Sequence, residues 1–119
     1  MKNSRHDLRL TVTLRFLDGE GQRRFGPGVA ALLAGVREKR SLRAAAGAMG
    51  MAYSKAWRIV RAAEGALGCK LLDSTIGGRH GGGAVLTPEA EALLAAYQAL
   101  RDEVSLYAQQ RFQEYFRDL

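Results

Sequence analysis

The sequence is poor in the residues that most catalytic and metal centres require. Its 119 residues contain one cysteine, Cys69, and two histidines, so one chain can form neither an internal disulfide nor a cysteine-based metal site. The acidic pair Asp102 and Glu103 falls on the outer face of the last predicted helix, where solvation accounts for it. The sequence thus offers no set of residues suited to acid, base, nucleophilic or metal chemistry. We expect neither an enzyme nor a cofactor.

Long apolar runs are also missing. No stretch approaches the roughly 20 residues that a membrane-spanning helix needs, and residues 1–7 are polar, unlike the apolar region of a signal peptide. The expected protein is soluble and cytoplasmic, without a membrane partner.

Positive charge is abundant and unevenly distributed. The chain has 18 Lys and Arg against 12 Asp and Glu, and residues 1–61 carry +9 while residues 62–119 carry −3. A field of this kind favours a polyanion as partner, and nucleic acid is the common one. A basic but unspecialised surface is the alternative.

The region from Ser41 to Leu67 is typical of a DNA-binding motif. A short alanine-rich helical pattern is followed by Gly50 and by a longer helical pattern with basic residues near its start. Small and apolar residues recur at helical spacing on one face of each pattern, and Ser41 is suited to cap the first. The spacing predicts a helix-turn-helix over residues 41–67, whose second helix would enter the major groove of DNA.

Residues near the start of the second helix are the candidates for DNA contact. Arg58 is the candidate for a base contact, because its guanidinium can bridge both major-groove acceptors of guanine; a phosphate contact is the alternative. Lys55, Arg61 and Arg43 are expected to contact the sugar-phosphate backbone of DNA. Trp57 is interpreted as a packing residue. The predicted DNA-binding residues of the motif are Ser41, Arg43, Tyr53, Ser54, Lys55, Arg58 and Arg61.

Residues 8–25 predict a β-hairpin that serves as a scaffold. Leu8 to Phe16 alternates between apolar and polar side chains, which is the period of a half-buried strand. Asp18 to Gly21 predicts a turn from which Gln22 to Phe25 returns. Val29 to Lys39 follows with the spacing of a helix that ends in cationic residues.

Residues 70–86 predict a second hairpin, directly after the helix-turn-helix. Two short apolar segments flank residues 77–83, five of which are glycine. We interpret this hairpin as a wing, with Arg79 and His80 at its tip able to contact DNA. A nucleotide-binding loop is the rival interpretation, disfavoured because a Gly-Lys-Ser/Thr sequence is absent and no helix begins at the loop. Residues 1–87 then form one winged helix-turn-helix domain, mainly α with a small β component.

Residues 88–119 predict a long C-terminal helix of the same domain, which Thr87, Pro88 and Glu89 are suited to begin. At about 1.5 Å per residue, some 28 residues would exceed 40 Å, which is more than so small a domain can cover. We expect the helix to pair with that of a second copy, although it could instead fold back over its own core. The predicted dimerisation residues are Leu93, Leu94, Tyr97, Leu100, Val104 and Tyr107.

These motifs together resemble a known family. Residues 41–94 are similar to the winged helix-turn-helix of LysR-type regulators, and more closely to the N-terminal DNA-binding domain of molybdate-responsive ModE-type regulators. The resemblance rests on Ser-Leu-Arg-Ala-Ala-Ala from Ser41, Tyr-Ser-Lys-Ala-Trp from Tyr53, and the glycine-rich wing that ends Gly-Ala-Val-Leu-Thr at Thr87. It implies a homodimeric, sequence-specific transcriptional regulator on pseudo-palindromic operators. An interaction module that works with a separate sensor, or has lost specific binding, is the alternative.

Two departures from the family limit what the resemblance implies. The family's molybdate-binding and tungstate-binding domains would begin where this chain ends, so we expect neither oxyanion to bind. The family also commonly has serine at the position of Ala52, at the start of the recognition helix. Losing such a cap typically costs about 1 kcal/mol, unless Ser54 or a DNA phosphate satisfies the exposed N–H groups.

Overall fold

The computed structural model describes residues 8–75 and 83–118. Within them the helices are α1 (Pro27–Lys39), α2 (Leu42–Ala48), α3 (Tyr53–Leu67) and α4 (Pro88–Tyr115). The strands are β1 (Phe16–Leu17), β2 (Arg23–Phe25), β3 (Leu72–Thr75) and β4 (Gly83–Leu86). Strands β1 and β2 form one antiparallel pair, and β3 and β4 form another. This architecture confirms the predicted winged helix-turn-helix with an N-terminal hairpin and a long C-terminal helix.

The N-terminal strand is much shorter than predicted. The expected strand from Leu8 to Phe16 is reduced to β1, and residues 8–15 form no ladder with another strand. Burial nevertheless alternates along this segment, and its carbonyl groups face α4: Tyr97 Oη donates to Leu14 O at 2.8 Å, and the Gln109 side-chain amide donates to Leu10 O. The alternating pattern identified one buried face, but a helix and not a strand covers it.

Asp18 organises the turn between β1 and β2. Its carboxylate accepts hydrogen bonds from the backbone N–H of Gln22 at 3.0 Å and of Glu20 at 2.8 Å, and from Arg24 Nε at 2.8 Å. The bond from Gln22, followed by those from Arg24 and Glu20, lowers the pKa of Asp18 below its ordinary value. These bonds fix the return of the chain and therefore the position of β2.

The core lies where α1 crosses the helix-turn-helix and the first half of α4. Small residues bring these helices close: a Cβ added to Gly35 of α1 would lie 3.0 Å from Ala45 Cβ of α2. Phe16, Phe25 and Tyr97 join the hairpin to α4, with ring centroids 5.1 to 5.7 Å apart. The fully buried helical residues are Leu32, Leu33, Val36, Ala56, Val60, Ala63, Ala90 and Leu94.

Local caps set the ends of the helices as the sequence predicts. Ser41 Oγ accepts the Ala44 N–H at 3.0 Å, and Thr87 Oγ1 accepts the Ala90 N–H at 3.0 Å. Gly50, in the turn between α2 and α3, has a φ of 67°, which glycine adopts without a Cβ clash. Ala52 precedes α3 without any side-chain cap.

The wing is attached to the junction between α1 and α2. The Ala84 N–H donates to Arg40 O at 3.1 Å, and the Gly83 N–H donates to Thr75 Oγ1 at 2.8 Å. The two backbones approach so closely that a Cβ added to Gly83 would lie 2.6 Å from Arg40 O. Only glycine fits this position without movement of the wing.

The second half of α4 extends away from this core. The molecule measures 61 × 35 × 22 Å, and its radius of gyration is 18.2 Å, whereas a compact domain of this length has about 13.5 Å. Among the described ranges, no helix is long and apolar enough to cross a membrane.

We predict that Gly83→Ala destabilises the protein by about 1–3 kcal/mol, because the added methyl group overlaps a backbone oxygen that cannot move freely. Denaturant unfolding measures the change. Gly47→Ala is the matched control, because Gly47 is an exposed residue of α2 and its added Cβ would meet nothing within 4 Å. The free energy of unfolding should stay equal or rise by up to about 1 kcal/mol. A Gly83→Ala variant as stable as the wild type would show that the wing is not held as described.

Candidate nucleic-acid interface

The outward face of α3 is basic. Burial of Ala56, Val60 and Ala63 against the core turns the opposite side of the helix to solvent. That side carries the exposed residues Ser54, Arg58 and Arg61, with exposed Lys55 beside them. The structure thus places these four predicted site residues on one continuous surface.

No acid neutralises this face within the described ranges. Arg43, Lys55, Arg58 and Arg61 form no ion pair with any described residue. The acid of α3, Glu64, is turned toward β3, where it accepts the backbone N–H groups of Leu71 at 2.8 Å and Leu72 at 3.4 Å. The positive potential of the α3 surface is therefore available to an external anion.

Two aromatic residues hold arginines along one flank of α3. The Arg43 guanidinium lies 4.1 Å from the centre of the Tyr53 ring, and that of Arg61 lies 5.1 Å from the Trp57 ring. The rings of Tyr53 and Trp57 meet edge to face, with centroids 6.3 Å apart. Half-buried Trp57 also packs against the core, as the sequence interpretation expects. The stacking orients both guanidinium groups before any ligand arrives.

A cleft of about 620 Å³ separates this flank from the wing. Ser41 and Arg43 line it from the start of α2, Tyr53 and Trp57 from α3, and Ser74 from β3. The predicted residues Ser41, Arg43 and Tyr53 therefore come together here. Arg79 and His80, at the predicted wing tip, lie outside the described residues.

A second cleft, of about 480 Å³, lies on the other side of α3, against the N-terminal hairpin. Arg58 lines it together with Arg15, Arg23 and Arg24. The hairpin is predicted from the sequence only as a scaffold, and neither Arg15 nor Arg23 is among the predicted site residues. A signal is present, since residues 8–25 contain four arginines, but only the fold brings two of them beside α3.

The predicted dimerisation residues of α4 separate into two groups. Leu94 and Tyr97 are only 0% and 2% exposed, because they pack into the core of their own chain. Leu100 and Tyr107 are 44% and 64% exposed, and Leu93 and Val104 are half-buried. Leu94 and Tyr97 are therefore not accessible to a partner, whereas the other four lie on one face of the helix.

The described residues contain no metal-binding cluster. Among residues 8–75 and 83–118, no group of three or more His, Cys, Asp or Glu side chains is arranged to hold a metal ion. Cys69 is a half-buried free thiol.

Two molybdenum-related bacterial proteins are similar to this chain in sequence. The chain is 42% identical over 82 residues to the molybdenum-pterin-binding protein MopB of Rhodobacter capsulatus, covering 69% of this chain and 30% of the relative. It is 35% identical over 71 residues to the molybdenum transport protein ModE of Herbaspirillum seropedicae, covering 60% and 26%. The chain thus spans less than a third of each relative's length, and the predicted resemblance to ModE-type proteins is confirmed.

The family model of bacterial regulatory helix-turn-helix proteins of the lysR family matches residues 30–91. That range is more than half of the chain, and it contains α2, α3 and both wing strands. The chain therefore belongs to the lysR family of bacterial regulatory helix-turn-helix proteins.

Proposed function

We propose that this chain is a sequence-specific transcriptional regulator that binds double-stranded DNA as a homodimer on pseudo-palindromic operators. The observation that carries the proposal is the outward face of α3, which is basic and has no acidic partner among the described residues. A helix with its side chains is about 10–12 Å across, and the major groove is about 12 Å wide. Inserting α3 into the groove brings this face against the base edges.

Arg58 is the proposed base contact. It is exposed, and it lies on the outward face one helical turn from Ser54, on the side of α3 that borders the N-terminal hairpin. Its side chain is free of described ion pairs, and a guanidinium can donate to O6 and N7 of one guanine. Tyr53 and Ser54, at the start of α3, are proposed to contact neighbouring groups.

Phosphate contacts are proposed for Arg43, Lys55 and Arg61. Stacking on Tyr53 and Trp57 holds Arg43 and Arg61 at the edge of α3, where the phosphate backbone bordering the groove would pass. Arg79 and His80 are proposed to contact DNA from the wing tip, and Ser41 from the start of α2. Such contacts orient the protein without reading the sequence.

The proposed dimer forms through the exposed face of α4. Leu93, Leu100, Val104 and Tyr107 are spaced by seven, four and three residues, which keeps them on one side of the helix. Pairing this side with the same side of a second copy would bury it and place two α3 helices on one duplex. A two-fold dimer requires an operator with two related half-sites about one helical turn, or a multiple of it, apart.

An interaction module that has kept the fold but not specific DNA binding is the alternative. It predicts equal affinity for all duplex sequences, whereas the proposed regulator prefers one sequence in addition to the salt-dependent affinity that the basic face of α3 provides. Selection of bound sequences from random duplexes separates the two functions and gives the half-site spacing in the same experiment.

We predict that Arg58→Ala costs about 1–3 kcal/mol of binding free energy on the selected sequence and relaxes discrimination at one base position. Arg79→Ala should weaken binding to all duplexes alike and lower the salt slope by about one unit. Titrations of selected and scrambled duplexes at several salt concentrations provide both measurements. Equal, sequence-independent losses for the two variants would make Arg58 a phosphate contact.

We predict that replacing Leu100 and Val104 with Asp yields monomers with weaker operator binding, because two buried charges would oppose the pairing of α4. Sedimentation at tens of micromolar measures the oligomeric state. The control is Leu106→Asp, because Leu106 is exposed and lies on another side of α4. This variant should leave the dimer intact. A wild-type protein that sediments as a monomer would disprove the dimer.

We also predict that molybdate and tungstate neither bind this chain nor change its DNA affinity. The name of one relative refers to molybdenum-pterin binding, but the match covers only 30% of that relative. Residues 108–119 of this chain contain no glycine that could shape an anion-binding loop. Calorimetry tests the prediction directly. A saturable, stoichiometric molybdate signal at micromolar concentration would overturn it and indicate a site formed between subunits.

A further inference from the structure

The cleft between the N-terminal hairpin and α3 concentrates positive charge around an apolar floor. Phe25, Val29 and Ile59 are among the apolar residues that line it. Arg15, Arg23 and Arg58 also line it, from three separate places in the chain. All three are exposed, so the cleft is accessible to a ligand. We call this space, with Arg15, Arg23 and Arg58 at its wall, the arginine cleft.

The positions of the arginines follow from the packing of the hairpin. Phe16 and Phe25 face each other across the β1–β2 pair and stack against Tyr97 of α4. Because neighbouring residues in an extended segment point to opposite sides, Arg15 is turned away from that aromatic cluster. The hairpin thus uses its apolar side for packing and presents its basic side beside α3.

The charges of the arginine cleft are not compensated within the described part of the chain. Arg15, Arg23 and Arg58 form no ion pair there, whereas their neighbour Arg24 is bound to Asp18 at 2.8 Å. Three like charges gathered at one site repel each other and raise the local potential. An anionic group bound between them would relieve that repulsion.

The arginine cleft and the wing lie on opposite flanks of α3. Tyr53 and Trp57 line the cleft on the wing side, whereas Ile59 and Ala62 line the one on the hairpin side. A helix in the major groove has a phosphate backbone along each flank. With α3 docked in this way, the wing flank would face one strand and the hairpin flank would face the other.

We propose that the N-terminal hairpin is a second DNA-binding element, in which Arg15 and Arg23 bind backbone phosphates on the side of the half-site opposite the wing. This inference rests on the proposed docking of α3 in the major groove. Arg58 lies between the groove-facing surface and the cleft, so it joins the base-reading part of the site to the phosphate-binding part.

The test is the salt dependence of duplex binding by the double variant Arg15→Ala/Arg23→Ala. We expect its salt slope to fall by about 0.9 for each phosphate that a protomer no longer neutralises, with equal decreases on selected and scrambled duplexes. Arg9→Ala is the matched control: it removes one charge from the same extended segment, next to Leu10, whose carbonyl contacts Gln109 far along α4. Its slope should stay at the wild-type value.

A second variant separates loss of charge from loss of structure. Arg15→Lys/Arg23→Lys keeps both charges, so it should restore most of the salt slope, and thermal unfolding should show all variants folded. In the wild type, ethylation interference should identify phosphates on the side of the half-site opposite the wing whose modification weakens binding. This interference should vanish in Arg15→Ala/Arg23→Ala. Duplexes shortened on that flank should bind the wild type and the double variant equally.

Three outcomes would overturn the inference, and one of them concerns the proposed function. An unchanged slope in Arg15→Ala/Arg23→Ala, with Arg58→Ala still impaired, would leave DNA binding standing and remove the hairpin from it. Saturable binding of inorganic phosphate by calorimetry, abolished in the double variant while DNA binding is retained, would assign the cleft to a small anion. Absence of duplex binding by the wild type would remove the proposed function itself.

Discussion

The backbone carbonyl of Arg40 holds the proposed DNA-reading parts of the molecule in register. Arg40 ends α1 in a left-handed conformation with φ 58°, and its oxygen accepts the Ala84 N–H of the wing. The next residue, Ser41, caps α2, and α2 packs directly on α3. One peptide unit therefore sets the wing against α2 and, through it, against α3.

Ion pairing divides the cations into two groups. Arg37 on α1 bonds Glu91 on α4 at 3.0 Å, and Lys70 and Arg24 also have acidic partners among the described residues. Arg15, Arg23, Arg43 and the arginines of α3 have none there. Net charge alone cannot distinguish these groups, because it does not record which side chains meet; the pair of Arg37 and Glu91, for example, joins residues 54 positions apart. The fold thus leaves the basic residues of α3 without acidic partners in the described ranges and keeps the potential of that helix intact.

Local signals in the sequence predict the centre of the structure well. Ser41, Gly50 and Thr87 determine helix ends by hydrogen bonds and backbone conformations within a few residues, so their roles are readable without tertiary knowledge. Apolar periodicity is different, since it identifies a buried face but not what covers it. The segment from Leu8 is therefore predicted, wrongly, to pair with a strand. Leu94 and Tyr97 are likewise predicted in a dimer contact although they fill the core of their own chain.

Candidate site residues follow the same division. The basic residues of α3 are identifiable because the helix-turn-helix places them by sequence position alone. Arg15 and Arg23 are not, because their proximity to Arg58 depends on how the hairpin docks against α3 and α4. Their side chains come from segments more than thirty residues away from Arg58 in the sequence, and no local pattern encodes that proximity.

The hydrogen bonds from Tyr97 and Gln109 to the carbonyls of Leu14 and Leu10 have a consequence for the order of folding. Both donors belong to α4, whereas both acceptors precede α1, so the partners are 83 and 99 residues apart in the sequence. Contacts of such high sequence separation form late and slow the reaction. The helix-turn-helix can assemble from neighbouring segments, but residues 8–16 must wait for α4 before they find their place.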